Sequence, residues 1–120
     1  MLKLINMRFT QINFYNKLES ETVSLTIVLN TGAMIPDRIE VGHFFATFKG
    51  DICDEDNKFL FQFEAKAKVE FKDINTINDL KKAIDGYLPE LLPKLQEKIK
   101  IITQEMGMRP LDINFGINES

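Results

Sequence analysis

Residues 59–71 carry an apolar residue at every odd position, with polar residues between them from Gln62 onward. Phe59, Phe61, Phe63, Ala65, Ala67, Val69 and Phe71 are apolar, and Gln62, Glu64, Lys66, Lys68 and Glu70 between them are polar or charged. A helix would scatter these phenylalanines around its whole circumference, whereas a strand places them all on one face. A long strand with one dry and one wet face belongs to an antiparallel sheet. It needs strand partners along its edges and a cover over its apolar side.

The rest of the chain supplies candidates for both. A first strand is predicted over about residues 2–15. Its apolar phase changes from Ile5, Met7 and Phe9 to Ile12 and Phe14, so one extra residue, a β-bulge, is expected near Thr10–Gln11. A second strand is predicted over about 22–30, with Val23, Leu25, Ile27 and Leu29 inward and Val28 interrupting the polar face. A third is predicted over about 40–52, with Phe44, Ala46, Phe48 and Ile52 on one face and His43, Thr47, Lys49 and Asp51 on the other. The acidic stretch Asp54-Glu55-Asp56-Asn57 makes a tight connection, so strands three and four form a hairpin.

After residue 71 the period becomes helical. Thr76 with Asp79 three residues on resembles a capping box. Ile77, Leu80 and Ile84 give a short amphipathic helix expected to end near Gly86. Pro93 is tolerable in a first turn and damaging later, so a second helix is expected to begin beside it and carry Leu95, Ile99, Ile102 and Met106 to a stop at Gly107. Leu111, Ile113 and Phe115 alternate in an extended tail. The expectation is a single α+β domain over 1–120, a four-stranded antiparallel sheet followed by two C-terminal helices packed on it, with Phe63 beneath the second.

Composition narrows the functional classes. The chain has 120 residues, 44% of them hydrophobic, enough for one modest core. A net charge of -3, with lysines interleaved among acids, argues against a nucleic-acid partner and favours basic partners. The lone Cys53 permits no intrachain disulfide, which points to the cytoplasm, and it lies in an acidic turn that does not activate a thiol. Met1–Asn6 is too short for a secretory leader, and no apolar run reaches the roughly 18 residues of a membrane span.

No enzyme signature is present. The only histidine is His43, and no metal-ligand spacing, nucleophile elbow or phosphate-binding glycine loop occurs, so neither catalysis nor a metal or cofactor is expected. A residual apolar set remains after the core is assigned. Tyr15, Leu18, Val28, Met34, Ile35, Phe45 and Leu60 sit in loops or on the wet side of strands. Together they form a candidate apolar patch for binding or self-association.

Several strings resemble the SecB protein-export chaperone family. They are Met7-Arg8-Phe9-Thr10-Gln11-Ile12-Asn13-Phe14, His43-Phe44-Phe45-Ala46-Thr47-Phe48 and the end of strand four, Val69-Glu70-Phe71. With them go Gly86-Tyr87-Leu88-Pro89-Glu90-Leu91-Leu92-Pro93 and Met106-Gly107-Met108-Arg109-Pro110-Leu111-Asp112-Ile113-Asn114-Phe115. Their order and spacing span nearly the whole chain.

The resemblance implies a tetramer built as a dimer of dimers that binds unfolded or export-bound polypeptide in apolar grooves without ATP. Tyr15, Leu18, Val28, Met34, Phe45 and Leu60 are then the client-binding candidates. Glu64 matches an acidic position that docks the SecA motor in that family, and Gln62 stands with it as a docking candidate; the other acidic position is Gln11 here. The family's longer, Pro- and aromatic-rich loop after strand one is short and polar here, and its SecA-contacting tail is missing beyond Ser120. A toxin–antitoxin pair is a second possible partner. The alternative from another class is an oligomeric structural or regulatory adaptor whose exposed apolar residues only build subunit contacts.

Overall fold

The computed structural model describes residues 1–17, 25–56 and 58–106. Four strands, β1 (Leu2–Asn16), β2 (Leu25–Met34), β3 (His43–Asp54) and β4 (Phe59–Phe71), are followed by one helix, α1 (Ile77–Glu105). They pair antiparallel in the order β1-β4-β3-β2, so β1 and β2 are the edges. The strands form one compact unit, Met1–Ile74, and the helix belongs to a second that begins at Asn75. The alternating run is β4 with the bounds its period sets, and the β3–β4 hairpin is as expected.

In β1 the expected bulge lies between Phe9 and Gln11, and a second one lies between Leu4 and Asn6. Each extra residue flips the side-chain phase. The inward series is therefore Leu2, Leu4, then Met7, Phe9, then Ile12, Phe14, opposite Phe71, Val69, Ala67, Ala65, Phe63 and Phe61 in turn. Ile5, assigned to the inward series from its odd position, is exposed because the first bulge takes it out of phase.

β2 runs on to Met34, past the expected end near residue 30, and the expected start at residues 22–24, Val23 among them, lies outside the described residues. Leu25, Ile27 and Leu29 share the inner face as expected, opposite Asp54, Ile52 and Gly50, but Ile27 stays exposed there while the two leucines are half-buried, because an edge strand has a neighbour on one side only. Residues 39–41 form a 3-10 turn instead of the start of β3. It closes on Gly42, whose φ of 78° is left-handed and suits glycine.

The inner face of the sheet is the core of the first unit. Phe44, Ala46, Phe48 and Ile52 of β3 and Phe59, Phe61, Phe63, Ala65, Ala67, Val69 and Phe71 of β4 are all buried. Their rings meet edge to face: Phe9 with Phe63 at 5.7 Å, and Phe14 with Phe59 at 5.8 Å and with Phe61 at 6.2 Å. Such pairs favour the attraction of a ring's edge to another's face. Gly50 stands opposite Phe63 on this face, and a Cβ built there would overlap the Phe63 ring. The missing side chain at residue 50 makes room for that ring.

Asp54 closes the hairpin from the last position of β3. It is buried, and its Oδ1 accepts hydrogen bonds from the backbone N–H of Lys58 (2.8 Å) and of Phe59 (3.0 Å). Desolvation by burial opposes ionisation, but backbone N–H groups, that of Phe59 foremost, outweigh it and hold the carboxyl below its ordinary value. A depressed folded-state value means stability that is present above the ordinary carboxylate range and lost as pH falls through the lowered one. Asp54→Asn should therefore lower the unfolding midpoint at neutral pH, and the gap to wild type should narrow as pH falls through and below the ordinary carboxylate range. A gap that stays constant with pH would contradict the charged-acceptor role.

Where two helices were expected, one runs unbroken from Ile77 to Glu105 through Gly86, Pro89 and Pro93. Its start is as expected: Thr76 Oγ1 accepts from the N–H of Asp79 at 3.1 Å. The correction has a physical basis. Leu80, Ile84, Leu91, Leu95, Ile99 and Thr103 are buried and keep helical phase across the prolines, whereas two helices would have reset it. Both prolines, four residues apart, lie on the exposed side. There, backbone carbonyls deprived of an N–H partner can turn to water. Gly86 also faces open space. Buried Thr103 satisfies its hydroxyl on the carbonyls of Ile99 and Lys100. No helix among the described residues is long and apolar enough to cross a membrane. Gly107 and the tail lie outside the described residues.

Candidate functional site: the outer face of the sheet

Because side chains alternate, the pairing register fixes which residues share the outer face. Across β1-β4-β3-β2 it forms successive rows. Tyr15, Leu60, Cys53 and Thr26 form one row, and Asn13, Gln62, Asp51 and Val28 the next. Gln11, Glu64, Lys49 and Asn30 follow, then Arg8, Lys66, Thr47 and Gly32. Asn6, Lys68, Phe45 and Met34 come next, and Lys3, Glu70 and His43 close the face.

The client-binding candidates that the structure describes all fall on this face, at two ends of it. Tyr15 (37% exposed) and half-buried Leu60 are neighbours in the first row, with Val28 (50% exposed) on the β2 edge one row on. Phe45 and Met34 (53% exposed) are paired at the other end. The eight residue steps from Leu60 to Lys68 put about 26 Å between the two clusters. Ile35 lies just past β2 and is half-buried, and Leu18 lies outside the described residues. One end is ordered by Lys17 Nζ, 5.7 Å from the Tyr15 ring centroid. At the other, Lys66 Nζ lies 5.4 Å from the Phe45 centroid and His43 meets Phe45 edge to face at 5.5 Å.

Between the clusters lies a polar depression of about 310 Å³. Gln11, Asn30, Lys49, Asp51, Gln62 and Glu64 line it above Gly50 and Phe63. The docking candidates Gln62 and Glu64 are thus side by side with Gln11. Glu64 stands directly opposite Lys49, so its charge is offset locally.

Residue patterns alone missed the outer-face position of Cys53 and a cluster of cations, Arg8, Lys66 and Lys68. The signal for the cluster is the register of β1 on β4, which a single sequence does not print. Among the described residues no group of three or more His, Cys, Asp or Glu side chains converges as a metal site would require.

No family model matches the chain, and no curated protein does either. Solved structures do. The chain is similar to the SecB-like chaperone of Mycobacterium tuberculosis, solved in complex with a ChAD peptide from the HigA1 antitoxin. The TM-score is 0.65 at 15% identity, over 95% of this chain and 90% of that one. A protein of unknown function from Streptococcus agalactiae matches at a TM-score of 0.47 and 8% identity, over 96% of this chain and 98% of its own. The chain therefore has the SecB-like α+β fold, a four-stranded antiparallel sheet followed by one C-terminal helix. The resemblance drawn from the sequence strings holds at the level of fold.

Proposed function

We propose that the chain is an ATP-independent holdase that shields extended or unfolded polypeptide. The observation that carries this is the likeness, over 95% of the chain, to a SecB-like chaperone holding a peptide from an antitoxin. The two outer-face clusters support it. An extended segment of about eight residues spans their separation, placing apolar side chains at both ends over a polar middle. Burial contributes roughly 25 cal/mol per Å² and carries little sequence information, so clients are diverse. The proposal includes cytoplasmic residence, assembly as a dimer of dimers, and no catalytic step. It also includes docking of a partner such as the SecA motor or a toxin–antitoxin pair at Gln62 and Glu64.

A permanently unfolded client, its thiols reduced and blocked, should bind without nucleotide in a fluorescence-anisotropy titration. Absence of binding would count against the proposal. The adaptor alternative rests on β2, an edge strand with Ile27 and Val28 exposed on opposite faces, which suits subunit pairing. Light scattering of the chain with and without client separates the two readings. The adaptor assembles but leaves client free.

A further inference from the structure

The chain carries a net charge of -3, but its outer face does not share that sign evenly. Lys3 stands opposite Glu70, and Lys49 opposite Glu64. Arg8 and Lys66 are instead paired with each other across β1 and β4, and Lys68 follows two residues later on the same face. No acidic residue occupies either of their rows. Like charges placed directly opposite cost stability, so an arrangement that keeps them together suits a bound anion. The Lys68 row continues on β3 and β2 into Phe45 and Met34, the Arg8–Lys66 row continues into Thr47 and Gly32, and Lys66 extends over the Phe45 ring from the adjacent row. Cations on one side, and half-buried Phe45 with exposed Met34 on the other, make an amphipathic patch.

Its dimensions choose among anionic partners. Along the strands it is two residue pairs long, about 7 Å, and Glu64 and Glu70 close it at each end. Across the four strands it measures about 14 Å. A nucleic-acid strand or a lipid surface would overrun the bounding carboxylates. A short polypeptide crossing the strands would not. From Arg8 on β1 to Phe45 on β3 is two strand spacings across and one row along, about 12 Å in all, the reach of about three to four extended residues.

We propose that Arg8, Lys66, Lys68, Phe45 and Met34 form a docking site for an acidic–apolar polypeptide segment. The segment carries one or two carboxylates about three residues from a large apolar side chain. This deepens the proposed holdase function, on which it rests, by naming the chemistry of the client or partner segment recognised at one end of the face. It runs against the basic-client preference that net charge alone suggests, because the register gathers cations that the sequence intersperses with acids.

The test uses the full chain and a fluorescein-labelled nonapeptide with two Asp residues three positions before a Leu, read by anisotropy. Controls are the same peptide with Lys in place of Asp, a single-stranded DNA decamer and anionic phosphatidylserine vesicles. The Asp peptide should bind at least about tenfold more tightly than the Lys peptide, and raising salt to about 1 M should weaken it. The double reversal Arg8→Glu/Lys68→Glu, at an exposed and a half-buried position of the outer face, should invert the preference, and Lys68→Gln should weaken Asp-peptide binding while leaving the fold unchanged by circular dichroism. Phe45→Ser should weaken both peptides alike. Equal binding of the two peptides, tighter binding of the DNA or vesicles, or a preference unmoved by Lys68→Gln would overturn the proposal. If an unfolded client is still held while the Asp peptide is ignored, this site falls and the holdase function stands. If neither is bound, both fall.

Discussion

Phe63→Ala should cost about 3–5 kcal/mol of folding stability, because a buried ring leaves a cavity that its neighbours fill only in part. Phe63 is 2% exposed, held between Phe9 and Phe61 on the inner face. Gly50→Ala should cost about 1–3 kcal/mol by the opposite route, overpacking, since the new methyl enters the space the ring occupies. The two effects are not independent. Once Phe63 is Ala, a methyl at residue 50 occupies vacated volume, so the double variant should be more stable than the summed single losses by at least about 1 kcal/mol. Denaturant unfolding of the four proteins measures this coupling. Glu64→Ala, one residue along but on the other face, should change stability by less than about 0.5 kcal/mol. Additive losses at 50 and 63, or equal losses at 63 and 64, would contradict the register.

The contrast between residues 63 and 64 was legible in the sequence, as were the bounds of β4, the bulge at Thr10–Gln11, the inward residues of β3 and the Thr76 cap. In each case a local period or a short-range hydrogen-bonding preference decides the structure. The bulge between Leu4 and Asn6 was not legible, because Ile5 fits the odd series of Met7 and Phe9 and only pairing with β4 exposes the slip. The exposure of Ile27 was hidden for a related reason: its period gives the face it occupies, opposite Ile52, but not that β2 is an edge. For the candidate site, which face Tyr15, Val28, Phe45 and Leu60 occupy followed from alternation. Their division into two ends, and the company of Arg8 with Lys66, depends on long-range register.

The helix departed furthest from expectation and gives the second large effect. If Pro89 and Pro93 lie inside one continuous helix, each forgoes a backbone hydrogen bond and crowds the preceding turn, at about 3 kcal/mol relative to Ala. Pro89→Ala and Pro93→Ala should therefore each stabilise the chain. The gain is reduced by the about 0.4–1 kcal/mol that proline contributes by restricting the unfolded state. A net rise of about 2 kcal/mol per site is expected from denaturant unfolding. Loss of stability at either site would mean that the proline holds a break between two helices.

Suppression of client aggregation tests the central claim most directly. At near-stoichiometric ratio and without nucleotide, the wild-type chain should delay light scattering by a chemically denatured client diluted into buffer. Tyr15→Ser/Phe45→Ser removes one aromatic from each end of the outer face and none from the inner core. It should weaken that protection while circular dichroism and the light-scattering mass of the chain stay those of wild type. Protection should survive moderate salt, since apolar burial is not screened as exposed charges are. A wild type that gives no protection would contradict the account. So would a double variant that loses its assembly together with its activity, because Tyr15 and Phe45 would then build the oligomer rather than hold the client.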